Sequence, residues 1–387
     1  MISDALFNPV RATRAICAGE AAMVLMSLST IAAAQPFLPH VQSSFVFSTI
    51  PANGDLNPYG VAFVPPGFPG GHLNPGDILV ANFNNSANKQ GLGTSILRVQ
   101  LSPQPGFQQT STFTTTAATG LTAALGIIKQ GFVFVGSVPT TDGTCNTVSA
   151  GPLLVLNDAG TKVLEVDSPQ LNGPWGLAIN STNAAHVQVF VSNVAPPPMK
   201  NMMTPCPSPS QTGTVSRLDF SFPPGTIQLD KITPIGSDYL NTTDSAAIVI
   251  GPAGLAYDAA KDILYVAGED DDKIFAIRDA STTTDHGTGQ VIFSDTKHLH
   301  GPMGLALAPN GDLIIANNDS INQDPKRPSE IVEIDPATVP ATFVRQFSID
   351  PNIDGPFGIA AAEFNELNEL AFVNDNNNTL SVWNFAE

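Results

Sequence analysis

The chain has 387 residues, 42% of them hydrophobic, with 34 acidic against 16 basic side chains and a formal net charge of −18. A surface so acidic repels phosphate backbones and anionic headgroups, so neither nucleic acid nor an anionic membrane is an expected partner. The length exceeds what one ordinary core holds unless the chain is built from repeats.

Residues 1–34 place Arg11 and Arg14 before an apolar run from Ala21 to Ile31, ending in Ala32-Ala33-Ala34 ahead of Gln35. That order predicts a signal peptide cleaved after Ala34, and hence a periplasmic or secreted protein. The segment carries two acidic and two basic residues, so its removal leaves the charge at −18. No later apolar stretch is long enough to span a bilayer, and no membrane insertion is expected. Beyond the leader the cysteines are Cys145 and Cys206. In an oxidising compartment a lone pair is most simply one disulfide.

A strand-like run, Phe45 to Ile50, precedes the first copy of a repeated signal, Asn57-Pro58-Tyr59-Gly60-Val61-Ala62. The signal returns as Gly173-Pro174-Trp175-Gly176-Leu177-Ala178, Gly251-Pro252-Ala253-Gly254-Leu255-Ala256, Gly301-Pro302-Met303-Gly304-Leu305-Ala306 and Gly355-Pro356-Phe357-Gly358-Ile359-Ala360. A degenerate copy, Ala124-Leu125-Gly126-Ile127-Ile128, fills the gap between the first two. Intervals of about 50 to 80 residues suit four-stranded propeller blades with occasional loop insertions. The fourth unit shows four short strands, Leu255 to Asp258, Ile263 to Ala267, Ile274 to Ile277 and Val291 to Phe293, rich in β-branched and aromatic residues between polar turns. Asn310-Gly311 supplies the tight hairpin of the fifth unit. After the last motif only two further strands fit before Glu387, so the N-terminal strand is expected to complete the sixth blade and close the ring. The predicted fold is all-β: a six-bladed β-propeller over residues 41–387, with motif starts near 57, 124, 173, 251, 301 and 355.

These units resemble the NHL-repeat family of propellers, whose repeats run Gly-Pro-x-Gly-Ile-Ala, a hairpin, and an apolar strand ending in Ala-Asn or Ala-Asp. The matching strand ends here are Val80-Ala81-Asn82, Val191-Ser192-Asn193, Val266-Ala267-Gly268-Glu269, Ile315-Ala316-Asn317 and Val373-Asn374-Asp375. The resemblance implies a binding face where the variable x residues and the strand-end Asn set lie. In the related calcium- or zinc-dependent gluconolactonases, Asn and Asp at the x position contribute metal ligands. Here the x residues are Tyr59, Leu125, Trp175, Ala253, Met303 and Phe357, which lack the required oxygen donors. No metal and no cofactor are therefore expected, the alternative being a divalent cation such as calcium.

Tyr59, Trp175, Met303 and Phe357 are candidates for an apolar and aromatic rim around the channel mouth, the alternative being a plug that packs on itself. Asn82, Asn193, Asn317 and Asn374 either face a ligand or bond to backbone in their turns. Glu269-Asp270-Asp271-Asp272 lacks the alternating oxygen spacing of a calcium loop and reads as a solvated turn. His298 and His300 flank Leu299, so on an extended segment both rings point the same way, as metal ligands or a general base require. A loop with Met199, Met202, Met203 and Cys206 follows blade 3's second strand. A Cys145–Cys206 disulfide would staple it over the same face, with soft-metal binding as the alternative. No Gly-x-Ser-x-Gly elbow and no phosphate-binding glycine loop is present. The expectation is a monomeric recognition scaffold for an unknown small molecule, glycan or protein. The alternative is a metal-dependent lyase or hydrolase with His300 as base and Glu269 holding the cation.

Overall fold

In a computed structural model the described residues are 36–38, 43–101, 109–194, 210–243, 247–364 and 367–385. They form six four-stranded antiparallel sheets arranged as a six-bladed β-propeller. Blade 4 shows the plan, with strands Pro252–Asp258, Ile263–Gly268, Lys273–Arg278 and Gln290–Phe293 running from the axis outward. The second strands, such as Ile78–Asn84 and Ile263–Gly268, are buried along their whole length because a neighbouring blade covers each face. Their sequences are correspondingly apolar rather than alternating. An outermost strand such as Gln109–Thr115 faces solvent and is rich in Thr.

The ring closes as expected. Ser43–Ser48 pairs with Thr379–Phe385, from Ser43 opposite Asn384 to Ser48 opposite Thr379, and so supplies the outer strand of blade 6. Phe47 from this strand enters the core.

The motif glycines have a common physical cause. A Cβ built on Gly176, Gly254, Gly304 or Gly358 would lie 2.0 to 2.6 Å from the carbonyl oxygen of the next blade's x residue, namely Ala253, Met303, Phe357 and Tyr59 respectively. First strands crowd the axis so closely that backbone meets backbone, and only a residue without a side chain fits.

Blade 2 departs from the expected register. Its first strand is Leu121–Ile128, with Leu121 opposite Ser137 and Leu125 opposite Val135. The corresponding pairs are Pro252 with Gly268 and Leu255 with Val266 in blade 4. Gly120-Leu121 therefore stands where other blades have Gly-Pro, and the bulge before Leu125 holds one residue more. Ala123, not Leu125, occupies the x position and packs on the axial core, while Leu125 points into the packing between blades 1 and 2.

Among the described residues, no helix is long and apolar enough to cross a membrane.

Candidate functional site

At one end of the axis Tyr59 is stacked between Phe83, at a 4.7 Å ring separation, and Phe357, at 4.4 Å. Trp175 meets Tyr59 and Phe83 edge-on, at 5.7 and 5.3 Å. Met303 and Ala253 complete this layer, and all of these side chains are buried. Tyr59, Trp175, Met303 and Phe357 thus belong to a packed aromatic layer across the axis, and they floor a cavity of about 180 Å³. Residues 247–249 form part of its wall, with the Ile248 N–H reaching Gln90 Oε1 across the mouth at 3.4 Å.

The polar wall comes from a column of positions of which the strand-end motifs include Glu269 and Asp375 but not Asn318. In each blade the second strand meets the motif proline or its equivalent at Asn82, Ser137, Asn193, Gly268, Asn317 and Asn374. The next residue along is Phe83, Val138, Val194, Glu269, Asn318 or Asp375. Its N–H donates to the carbonyl of the glycine that opens the motif in blades 3 to 6, at Gly173, Gly251, Gly301 and Gly355, and of Gly120 in blade 2. That bond sets each of these side chains at the mouth. Blades 1 to 3 contribute apolar residues, which join the aromatic layer. Blades 4 to 6 contribute Glu269, Asn318 and Asp375, which line the cavity. Asn57, Ser320 and the exposed Asp354 add further oxygen and nitrogen atoms.

Glu269 is only 2% exposed, so the acidic turn is not a solvated one at this position. Its Oε1 accepts from Asn318 Nδ2 at 2.7 Å and from Ser320 Oγ at 2.9 Å, while Oε2 has no partner. Asp375 repeats the arrangement, Oδ2 accepting from Asn57 Nδ2 at 3.0 Å and Oδ1 having none. Trp175 is 3% exposed and its Nε1–H is likewise unsatisfied. Burial pushes the Glu269 carboxyl up to about 7, against the hydrogen bonds from Asn318 and Ser320. Burial also pushes Asp375 up to about 7, with the Asp354 charge adding to the effect. The Tyr59 phenol is held well above its ordinary range, first by burial and then by the charges of Asp375 and Glu269. Unpaired polar atoms inside a protein are costly; fifteen occur among the described residues, and three of them belong to residues that line this cavity.

Two larger cavities carry no such atoms among their described lining residues. One, of about 490 Å³, lies between blades 1 and 2 beside the Lys162–Glu165 ion pair. The other, about 380 Å³, is the apolar opposite mouth, lined by residues such as Leu177, Leu255 and Leu305.

The remaining candidates sit elsewhere. Asn82 donates to Thr49 O and Ser95 Oγ, Asn193 to Thr214 Oγ1, Asn317 to His298 O, and Asn374 to Asp350 Oδ2. Asn82, Asn317 and Asn374 tie their strands to neighbouring loops, Asn193 bonds to the adjacent strand of its own blade, and none of the four lines the cavity. His298 and His300 do not project together, because residues 296–298 form a turn rather than an extended segment. The His298 ring stacks on Phe343 at 3.9 Å and bonds to Asp295, whereas His300 Nδ1 bonds to Asn322 O at 2.5 Å. His300 therefore does not share a site with Glu269. Cys206 and residues 195–209 lie outside the described residues, so the staple has only its buried Cys145 end in view.

For a metal, the one group of three acidic, His or Cys ligand atoms within 4.8 Å of each other among the described residues is His300, Asp324 and Glu330. Its atoms are already engaged: Arg327 Nε lies 3.3 Å from Asp324 and 3.7 Å from Glu330, and His300 Nε2 lies 3.3 Å from Lys297 O. In the mouth cavity, Asn57 and Asn318 direct amide N–H groups at the carboxylates rather than oxygens at a common centre. Calcium gathers six to eight oxygens at about 2.3 to 2.6 Å, a convergence that neither cluster offers.

No protein-family model matches the chain, and no curated protein matches its sequence. Solved structures match the fold. A luciferin-regenerating enzyme aligns at 11% identity over 89% of this chain and 96% of its own, with a TM-score of 0.52. A gluconolactonase from Xanthomonas campestris aligns at 10% identity over 89% and 91%, TM-score 0.51. Regucalcin from Agrobacterium tumefaciens, a calcium-binding protein, aligns at 12% identity over 87% and 92%, TM-score 0.51. The chain is a six-bladed β-propeller with structural neighbours of the gluconolactonase and regucalcin kind, and likeness at this identity extends to the fold alone.

Proposed function

We propose that this chain is an exported, monomeric NHL-like propeller that binds a small polar ligand in the cavity walled by Glu269, Asn318 and Asp375 and floored by Tyr59, Trp175, Met303 and Phe357. The observation that carries the reading is that Glu269, Asp375 and Trp175, which line one cavity, each hold a polar atom without a partner, Oε2, Oδ1 and Nε1 respectively. Export rests on the order of residues 1–34, and a Cys145–Cys206 disulfide is proposed with it. Non-reducing mass spectrometry of the exported protein should show no free thiol at either position.

The chain has two tryptophans, and Trp383 packs between Phe347 and Phe372 in blade 6, away from the cavity. A Trp383→Phe variant therefore leaves Trp175 as the reporter. Screening it against small polar fragments should reveal compounds that shift Trp175 emission and raise Tm. A screen with neither effect overturns the reading.

One observation favours a second reading. A buried carboxyl pushed up to about 7 beside a cavity has the affinity for protons that a general base needs at neutral pH. With the gluconolactonase-like fold, that supports hydrolysis of a lactone or ester with Glu269 activating water. Turnover across a lactone and ester panel that disappears in Glu269→Gln is the expected result, and no turnover of any member removes this reading.

A further inference from the structure

The cavity wall is charged in one sense only. Glu269, Asp354 and Asp375 line it, and among its described lining residues there is no Lys, Arg or His. Glu269 and Asp375 each keep a buried oxygen without a partner, which is disfavoured in the ionised form unless a positive charge arrives with the ligand. We propose that the cavity receives a small organic cation, a protonated amine bearing a hydroxyl group. This inference rests on the reading of the cavity as a binding site and names the class of ligand.

Each feature of the wall answers one part of such a molecule. Asn318 and Ser320 occupy one oxygen of Glu269 and Asn57 one oxygen of Asp375, which orients the two carboxylates and leaves Oε2 and Oδ1 as acceptors. An ammonium group has several N–H donors and carries the charge that the two carboxylates lack. Trp175 Nε1–H can only donate, so the ligand must also present an oxygen; a hydroxyl meets that need. The carbon skeleton then rests on the buried layer of Tyr59, Met303 and Phe357.

A bare divalent metal fits less well. The cavity carboxylates do not form a group of three ligand atoms within 4.8 Å, and the nearby amides point nitrogen at them.

The test uses the mature Trp383→Phe protein at pH 8, titrated with ethanolamine, ethylamine, glycerol, glycolate and calcium chloride and followed by Trp175 emission and calorimetry. Ethanolamine should bind, while glycerol, glycolate and calcium should not. Glu269→Gln and Asp375→Asn should each weaken ethanolamine about tenfold or more, as expected for losing a charge-assisted hydrogen bond. Trp175→Phe, followed by calorimetry alone, should reduce ethanolamine to the level of ethylamine. Far-ultraviolet circular dichroism establishes that each variant is folded. Glycerol binding as well as ethanolamine, calcium binding that Glu269→Gln abolishes, or ethanolamine binding unchanged in both carboxylate variants would each overturn the proposal. If ethanolamine fails while other fragments still shift Trp175, the cationic class is wrong and the binding site stands. If nothing shifts Trp175, both fall.

Discussion

Glu269→Gln should make the free protein more stable at pH 8. The carboxyl sits at about 7 in the fold against an ordinary 4.5, chiefly because of burial. Holding it ionised at pH 8 thus costs about 3 kcal/mol, at roughly 1.4 kcal/mol per pH unit of displacement. Gln keeps the acceptor oxygen used by Asn318 and Ser320 and removes the charge. With an unfolding entropy of about 2 cal/mol/K per residue over roughly 350 residues, the gain amounts to about 4 °C in Tm. At pH 5 both proteins carry a neutral side chain in the fold, so the difference should shrink severalfold. Differential scanning calorimetry of both proteins at pH 5 and 8 measures this directly. A variant less stable than the parent at pH 8, or a gap of the same size at both pH values, would refute the account of Glu269 as an uncompensated buried acid.

Further outcomes follow from the same coordinates. Glu269, Asp375 and Glu369 are all pushed up to about 7, each chiefly by burial, and burial also raises Glu333 beside Asp312. The fold keeps these protons while the unfolded chain releases them from about pH 4 upward, so stability should fall by several kcal/mol from pH 5 to 8 and level off above 8. A Tm that is flat or rises over that window contradicts these assignments. Gly358→Ala places a Cβ 2.0 Å from the Tyr59 carbonyl oxygen and should cost about 3 kcal/mol, read as a shift of the urea midpoint. Deleting residues 41–50 removes Phe47 and the six-residue ladder to Thr379–Phe385 and should lower Tm by about 10 °C. An unchanged melting curve would mean that the ring does not need this strand.

The propeller was legible because its signal is both local and repeated. Pro-x-Gly-(Leu/Ile/Val)-Ala recurs in every blade except the second, and Gly is required there by the approach of the next blade's carbonyl. Blade 2 was misread by two positions because Gly126 drew the alignment to itself. Its place is that of the motif alanine, facing Phe134, while Ala124 holds the motif glycine's position. An inserted residue in a bulge leaves no local mark of that kind. The paired histidines failed for a similar reason, since same-face projection assumes an extended backbone and that backbone turns at residues 296–298.

The cavity wall had a signal that spacing alone did not reveal. Glu269 and Asp375 close the strand-end segments and Asn318 stands one residue beyond its own, in a column that changes from apolar in blades 1 to 3 to polar in blades 4 to 6. The chain's own sequence determined the number of blades, the closure by the N-terminal strand and the apolar floor, because each follows from residues near one another or from a repeat. Only the tertiary structure decided that residues between 57 and 375 enclose one acidic cavity, that Glu269 and Asp375 each keep one carboxylate oxygen without a partner, and that His300 stands apart from it. Those are relations between blades, set by how six sheets pack around an axis, and no interval along the chain encodes them.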